Sequence, residues 1–442
     1  MDRFQRSILV TGGRVVDPAA RRDEQADVLV IDGRVAAVGA DLRPPAGCPR
    51  LRAAGLLVTP GFIDAHVHLR EPGFEQRETI ASGTAAAAAG GICACVAMPN
   101  TRPAPDTPAH LQAIQERVRR TAAVRVHLLG CITAERAGRH LAPLEALAAG
   151  GAVGFSDDGD PVADAELMAA ALAAGRRLQR PVAPHEEDRA RTAGGCLHAG
   201  AAARRLRVGG MEPEAEECLI ARDLELVRQT GGPLHVAHVS TAAGVAMIRA
   251  ARAAGLPVTA EATPHHFALT DEAALEHGAN AKMNPPLRTA ADVEALRQGL
   301  ADGTIAVIAT DHAPHTVPDK ALPLQQAPFG VVGLETAVGL TWTCLVRAGV
   351  LSLAAAVACW TQHPAAVFGL PGGSLSPGSP GDLTIIDPDL EWTVAPAEFR
   401  SQARNTPFAG WRLTGRAVAT IVGGAVVHRW LPPPGRSGNR GP

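Results

Sequence analysis

The sequence contains no tyrosine, and aromatic residues of every kind make up only 3% of its 442 positions. A core for a chain of this length must therefore be built from Ala, Val, Leu and Ile, a composition that suits helices packed closely on a sheet. Excess charge of either sign is also missing. Lys plus Arg (42) nearly cancels Asp plus Glu (44), which argues against nucleic acid or an anionic membrane as partner and leaves a small molecule as the expected ligand. No CxxC pair occurs among the eight cysteines, so neither a zinc ribbon nor a disulfide framework is expected, and they read as small buried hydrophobes in a reducing cytosol. Long apolar runs are absent too. The N-terminus reaches a Thr-Gly-Gly turn after three consecutive apolar residues, too few for a signal-peptide core, so the expectation is a soluble, cytoplasmic protein.

What is present in quantity is glycine (46), proline (35) and histidine (16). The glycines and prolines are too many for a helical bundle and not periodic, which excludes collagen-like and low-complexity chains. Residues 1–58 alternate short β-like runs (Ser7 to Val10, Val28 to Ile31, Val35 to Val38, Leu56 to Val58) with turns such as Asp32-Gly33. Residues 371–442 have the same texture, with runs at Asp382 to Ile386, Ala417 to Ile421 and Ala425 to His428, before a Pro/Gly/Arg-rich end from Pro432 to Pro442 that reads as frayed. The two ends together predict one small β domain. Between them, in 59–370, apolar runs ending near His66, Met98, Cys131, Phe155, His185, His238, Thr263 and Asp311 alternate with Ala-rich helical stretches, among them Asp106 to Arg120, Asp164 to Leu178, Pro213 to Gln229 and Ala243 to Ala254. Such a succession predicts an α/β fold, a (β/α)₈ barrel whose site forms at the C-terminal ends of its strands.

The polar residues gather at those strand ends. His66 and His68, two apart on an extended strand, point the same way and can reach one metal. Histidines also end ordinary strands, but His185 and His238 follow buried strands of their own. His235, inside the same run as His238, reads as structural. Of the acidic pair in GAVGFSDDGD, Asp158 is favoured as a ligand and Asp157 as a turn residue, although position separates them poorly. Asp311 follows a mostly apolar run, where a carboxylate is costly unless paired or metal-bound, and it has the position of a general base. Four imidazoles and two carboxylates suit a divalent cation with room for water, zinc first.

In order along the chain, GFIDAHVHLREPG, MPNT, FSDDG, HVS, EATPHH, NPPLR and ATDHAPH closely resemble the dihydroorotase family, bacterial class I type, of the cyclic amidohydrolase superfamily, from about Leu9 to Gly424. The resemblance implies a (β/α)₈ TIM barrel with a small β-sandwich domain formed from the N- and C-terminal segments. It implies one or two Zn²⁺ per subunit, with His66 and His68 on one, His185 and His238 on the other, Asp158 bridging, and Asp311 touching metal and serving as the catalytic acid/base. His68, Arg70, Asn100 and His315 are implied to meet the substrate at or near its carboxylate, and Asn284 with the backbone of Phe329 and Gly330 to hold the ring amides. The implied reaction is reversible hydrolysis of (S)-dihydroorotate to N-carbamoyl-L-aspartate in de novo pyrimidine biosynthesis, by a metal-activated hydroxide with Asp311 carrying the proton. A homodimer and a complex with aspartate transcarbamoylase are the assemblies it suggests.

Hydantoinases, dihydropyrimidinases and allantoinases are the nearest competing reading. They are expected to carry a metal-bridging lysine after the fourth strand, where this chain has Ser156-Asp157-Asp158. A catalytically silent relative that supports the transcarbamoylase would lose metal ligands, and all of them are present. Two departures from the family pattern stand out: Glu186-Glu187-Asp188 where Cys often follows the histidine, and Gly381-Asp382 where Ala-Asp is usual. Neither is expected to touch a ligand. The Pro-rich segment Ala313 to Phe329 is expected to be a loop rather than an element, and long loops after barrel strands are often lids.

Overall fold

The computed structural model describes residues 5–430; the segment from Pro432 to Pro442 lies outside the described residues. Both chain ends enter one eight-stranded sheet. The N-terminal part supplies Ile8–Asp17, Arg22–Ile31, Arg34–Gly39, Arg50–Arg52 and Leu57–Pro60, and the C-terminal part Leu383–Thr393, Arg412–Val422 and Ala425–Arg429. Their seam is antiparallel, Leu383 opposite Pro60 and Ile386 opposite Leu57. The Asp32-Gly33 turn closes its hairpin with both residues at positive φ (47° and 80°), the geometry that matches the twist of the strands it joins. Ile8, Val10, Val28, Val30, Val58, Leu383, Ile385 and Ile421 form one apolar cluster within this sheet.

The middle of the chain closes a ring of eight parallel staves. Phe62–Val67, Ile92–Ala97 and Arg125–Leu128 pair in order, as do Leu234–Val236, Val258–Ala262 and Val307–Ile308. The fourth and fifth staves join the two groups through bridges Gly130 to Phe155, Phe155 to Val182 and Val182 to Leu234, and Val67 to His312 closes the ring. These two staves are single bridging residues, shorter than the runs expected from sequence. Pro181 has no N–H to give the ladder, so it only accepts, from Phe155 N at 3.0 Å, and the chain leaves the sheet at once toward Asp158 and His185.

Helices Pro108–Thr121, Ala165–Leu178, Glu214–Thr230 and Ala242–Ala253 lie within two residues of their expected bounds. The shortage of aromatics has its counterpart in close packing. In the alanine-rich helix Ile80–Gly90, a Cβ at Gly90 would stand 2.0 Å from the Leu334 carbonyl oxygen, so only glycine lets this helix approach so closely. Gly381 is explained likewise, since a Cβ there would stand 2.3 Å from Val30 Cγ1. A two-stranded sheet, Gly195–His198 with Gly209–Met211, interrupts the run after the fifth stave and had no counterpart in the sequence reading.

The segment from Ala313 to Phe329 is not wholly a loop. It contains the helix Val317–Lys320, opened by a reciprocal capping box between Thr316 and Asp319. All eight cysteines are free. Among the described residues no helix is long and apolar enough to cross a membrane.

The sheet is joined to the barrel by a charged contact. Arg125 on the third stave donates to both oxygens of Asp382 (2.7 and 3.1 Å), and Gly423 N donates to Oδ1 at 2.7 Å. Asp382→Ala is expected to cost about 2 kcal/mol by stranding these donors. A lowered melting temperature with unchanged turnover per folded molecule checks it, and an unchanged melting temperature contradicts it.

Candidate metal centre and substrate pocket

One carboxylate stands at the middle of the barrel mouth. Asp158 Oδ2 lies 3.6 Å from His66 Nε2 and 3.5 Å from His68 Nε2, while Oδ1 lies 3.5 Å from His185 Nδ1 and 3.1 Å from His238 Nε2. Two donors each about 2.0–2.1 Å from a tetrahedral zinc stand roughly 3.3 Å apart, so these spans are those of ligands around a cation. The six residues form two groups sharing Asp158, His66/His68/Asp158 and Asp158/His185/His238, with the ligand atoms of each group within 4.8 Å of one another, plus Asp311 beside the first. Asp311 Oδ1 is 2.9 Å from His68 Nε2 and 3.6 Å from His66 Nε2. Asp157 faces away and accepts from Ile132 N (2.8 Å) and from the Thr133 hydroxyl. The backbone that aims this set is strained: Arg70, His238 and Asp311 all have positive φ (61°, 33° and 46°).

A second layer of polar groups fixes the ring nitrogens. Glu261 Oε1 accepts from His66 Nδ1 at 2.7 Å, which leaves Nε2 as a lone pair; that atom is buried without a hydrogen-bond partner and aimed at the two aspartates, as a metal ligand would be. The other oxygen of Glu261 holds His235 Nε2 at 3.1 Å, which gives His235 its structural role. Asp64 ties the first stave to the eighth through Thr310 N (3.0 Å) and Thr310 Oγ1 (2.6 Å). Glu187 Oε2 accepts from His185 Nε2 at 3.1 Å and from Asn284 Nδ2 at 3.0 Å. The departure at Glu186-Glu187 therefore does touch a ligand, contrary to the expectation from sequence, because the chain turns back on itself directly after the histidine.

Charge follows the same design. Burial alone would raise the carboxyls of Asp158 and Asp311, but the surrounding imidazoles outweigh it and hold both below the ordinary carboxylate range. Burial opposes protonation of His185 as well, yet Asp158 and Glu187 push it up to about 10. His265 is pushed down to about 4, chiefly by burial, and stands neutral beside the cluster. The EATPHH motif that carries Glu261 and His265 was visible in the sequence; their contacts were not.

A cavity of about 300 Å³ lies over this cluster, lined by His68, Arg70, Asn100, Asp158, His185, His238, Asn284, Asp311, His315, Phe329 and Gly330. Every site residue named from the sequence lines it except His66, which is fully buried beneath. Arg70 Nε donates to Pro314 O at 3.3 Å, and the guanidinium has no ion pair among the described residues. Burial and neighbouring Arg77 lower it only to about 10, so it stays charged at neutral pH. His315, pushed down to about 2 mainly by burial, donates Nε2–H to Phe329 O at 2.6 Å, and Asn100 Oδ1 accepts from His68 Nδ1 at 2.9 Å. The pocket thus sets one unanswered cation beside a buried donor set.

Glu261→Gln is expected to loosen metal 10- to 100-fold by releasing His66 from its orientation. Competition with a chromophoric chelator reads this directly, and wild-type affinity in the variant contradicts the role given to Glu261.

Two family models match the chain, one described as dihydro-orotase-like over residues 55–243 and one as amidohydrolase family over residues 212–428. A dihydroorotase of Pelotomaculum thermopropionicum is 52% identical over 95% of this chain and 98% of its own length, and a dihydroorotase of Syntrophotalea carbinolica is 48% identical over 96% and 99%. Among solved structures, the L-hydantoinase (dihydropyrimidinase) of Arthrobacter aurescens superposes with a TM-score of 0.84 at 28% identity, covering 96% of both chains. The dihydropyrimidinase of Brevibacillus agri gives 0.84 at 25% identity, covering 96% of this chain and 95% of its own. With nearly full-length identity of about half to proteins of that name, this chain belongs to the dihydroorotase family of the amidohydrolases.

Proposed function

We infer that this chain is a dihydroorotase, a metal-dependent cyclic amidohydrolase that interconverts (S)-dihydroorotate and N-carbamoyl-L-aspartate in pyrimidine biosynthesis. The observation that carries this reading is that Asp158, shared by the two groups of histidines, and the Arg70 cation, which has no ion pair among the described residues, face one cavity. An uncharged dihydropyrimidine gives such a cation nothing to bind; a ring carrying a carboxylate does.

The donor set fits one or two Zn²⁺; His66 and His68 would hold one ion, His185 and His238 a second, and Asp158 and Asp311 would complete the site. When bound, the metal supplies a water of lowered pKa and positive charge near the reacting carbonyl. The chain's own groups do the rest. Arg70 anchors the substrate carboxylate, with Asn100 and the neutral His315 beside it, while Asn284 and the Phe329-Gly330 backbone hold the ring amides. Asp311, kept ionised by its histidine neighbours, accepts the proton of the attacking water and delivers it to the departing ring nitrogen. In ring closure the same carboxyl runs the transfer backwards.

The same reading extends to organisation. Residues 59–370 form the catalytic barrel, and the sheet that runs from Ile8 to Arg429 through both chain ends folds on itself as a sandwich, the apolar cluster of Ile8, Val58, Leu383 and their neighbours being the support for this. The family resemblance suggests a cytoplasmic enzyme, with a homodimer and a complex with aspartate transcarbamoylase as candidate assemblies, and light scattering with and without the transcarbamoylase decides between monomer, dimer and complex.

The central test is dihydroorotate hydrolysis by the purified protein, lost on chelation and regained with zinc, with hydantoin and allantoin as controls. Preference for either control would overturn the assignment. Asp311→Asn should retain the fold and most of the metal while turnover falls by at least about 10³-fold, since an amide cannot carry the proton. Arg70→Ala should raise KM for dihydroorotate by roughly tenfold or more with far less effect on an uncharged dihydropyrimidine, and equal effects on both would refute the anchor.

A further inference from the structure

We propose that Lys320 is a positioning residue, which with Lys282 sets where the Phe329-Gly330 backbone stands over the substrate pocket. Lys320 ends the short helix Val317–Lys320, and its ammonium donates to three backbone carbonyls, those of Gly330 (2.9 Å), Pro328 (3.0 Å) and Lys282 (3.3 Å). Lys282 works from the other side. Its Nζ donates to Leu324 O (2.7 Å) and Gln325 O (3.2 Å) and lies 4.4 Å from the centre of the Phe329 ring. Two ammonium groups thus hold the stretch from Leu324 to Gly330 by its carbonyls.

Neither lysine has a carboxylate ion pair among the described residues. Like charges in one partly buried place oppose folding unless something else answers them, and here the answer is backbone carbonyls and an aromatic face. Burial first, and Lys282 second, lower Lys320 to about 7, so it stands as an ammonium below that pH, held there at a cost by this arrangement. A surface loop that needed only tethering would not require it.

What the clamp holds is the pocket wall. Gly330 N donates to Lys282 O at 2.9 Å, and Asn405 Nδ2 donates to Gly330 O at 3.0 Å. Gly330 has φ of 128°, and a Cβ there would meet Ala313 Cβ at 2.6 Å and His315 Nε2 at 3.1 Å, so its place is tightly set. Phe329 O in turn takes the proton of His315 Nε2 at 2.6 Å. A shift of this strip moves both the backbone that faces the ring and the histidine beside Arg70. The role in catalysis rests on the reading of Phe329 and Gly330 as substrate contacts, whereas the clamp itself does not.

The experiment compares zinc-loaded wild type, Lys320→Met and Lys320→Arg by amide hydrogen exchange of residues 317–330 without substrate, and by KM and kcat for dihydroorotate. Lys320→Met should speed exchange in this stretch and raise KM roughly tenfold with kcat within about threefold, and Lys320→Arg should recover most of both. Unchanged exchange overturns the clamp whatever happens to KM. Faster exchange with an unchanged KM overturns the positioning role and, with it, the substrate contact given to Phe329 and Gly330, while leaving Arg70 and Asp311 untouched. Parallel losses in kcat and metal content would also count against it. If Lys320→Met does not fold, Lys320→Gln carries the same comparison.

Discussion

Asp158 has to face two pairs of histidines at once, and the rest of the structure is arranged to permit it. Its two oxygens stand 3.1 to 3.6 Å from four imidazole nitrogens that arrive on three different staves. A buried carboxylate beside a second, Asp311, is expensive unless cationic charge answers it. A closed ring of parallel staves brings such distant segments together, since every stave then ends at the same rim. The single-residue fourth and fifth staves fit this demand, because the chain must leave the ladder early for Asp158 and His185 to reach the axis. Around them, Asp157, Glu261, Glu187 and Asp64 each use a carboxylate to fix backbone or imidazole in place. The site is therefore built of two layers of acid with a layer of histidine between them.

Much of this was legible before any coordinates. Buried apolar runs ending in polar residues mark staves, and the eight marked endings lie at or within three residues of the observed bridges. The β texture of the two chain ends was equally plain, but their pairing was not, because Leu383 and Pro60 are joined by register across a whole barrel and nothing local encodes it. Contacts of the second layer escaped for a similar reason. Glu261 reaches His66 across 195 positions, and an acidic residue inside an apolar run gives no hint of which histidine it will hold. Glu187 shows the opposite failure: it is two residues from His185, and a strand-like reading would place the two on one face without saying that the backbone folds back to join them. The helix Val317–Lys320 was hidden by its brevity and its proline, although Thr316 and Asp319 carry a capping signature.

Fold alone does not decide the substrate. Proteins named hydantoinase and dihydropyrimidinase superpose on this chain with TM-scores of 0.84 at 25–28% identity, so the fold is shared with enzymes of other names. Discrimination must come from groups that reward a carboxylate and are left unsatisfied without one. Under the proposed function Arg70 is such a group, because its charge persists through burial and what stands against it is the Pro314 carbonyl oxygen and, at 3.5 Å from Nη2, the His315 ring rather than an acid. His315 complements it by the opposite property. Held neutral, it adds no second charge, and its proton is committed to Phe329 O, so what it fixes is the wall of the pocket. Under the proposed function, one charged anchor and one neutral strut, fastened from outside by the two lysines, would give an acid ring a single orientation over the histidine and aspartate cluster, and a neutral ring entering the same pocket would leave Arg70 desolvated and unanswered.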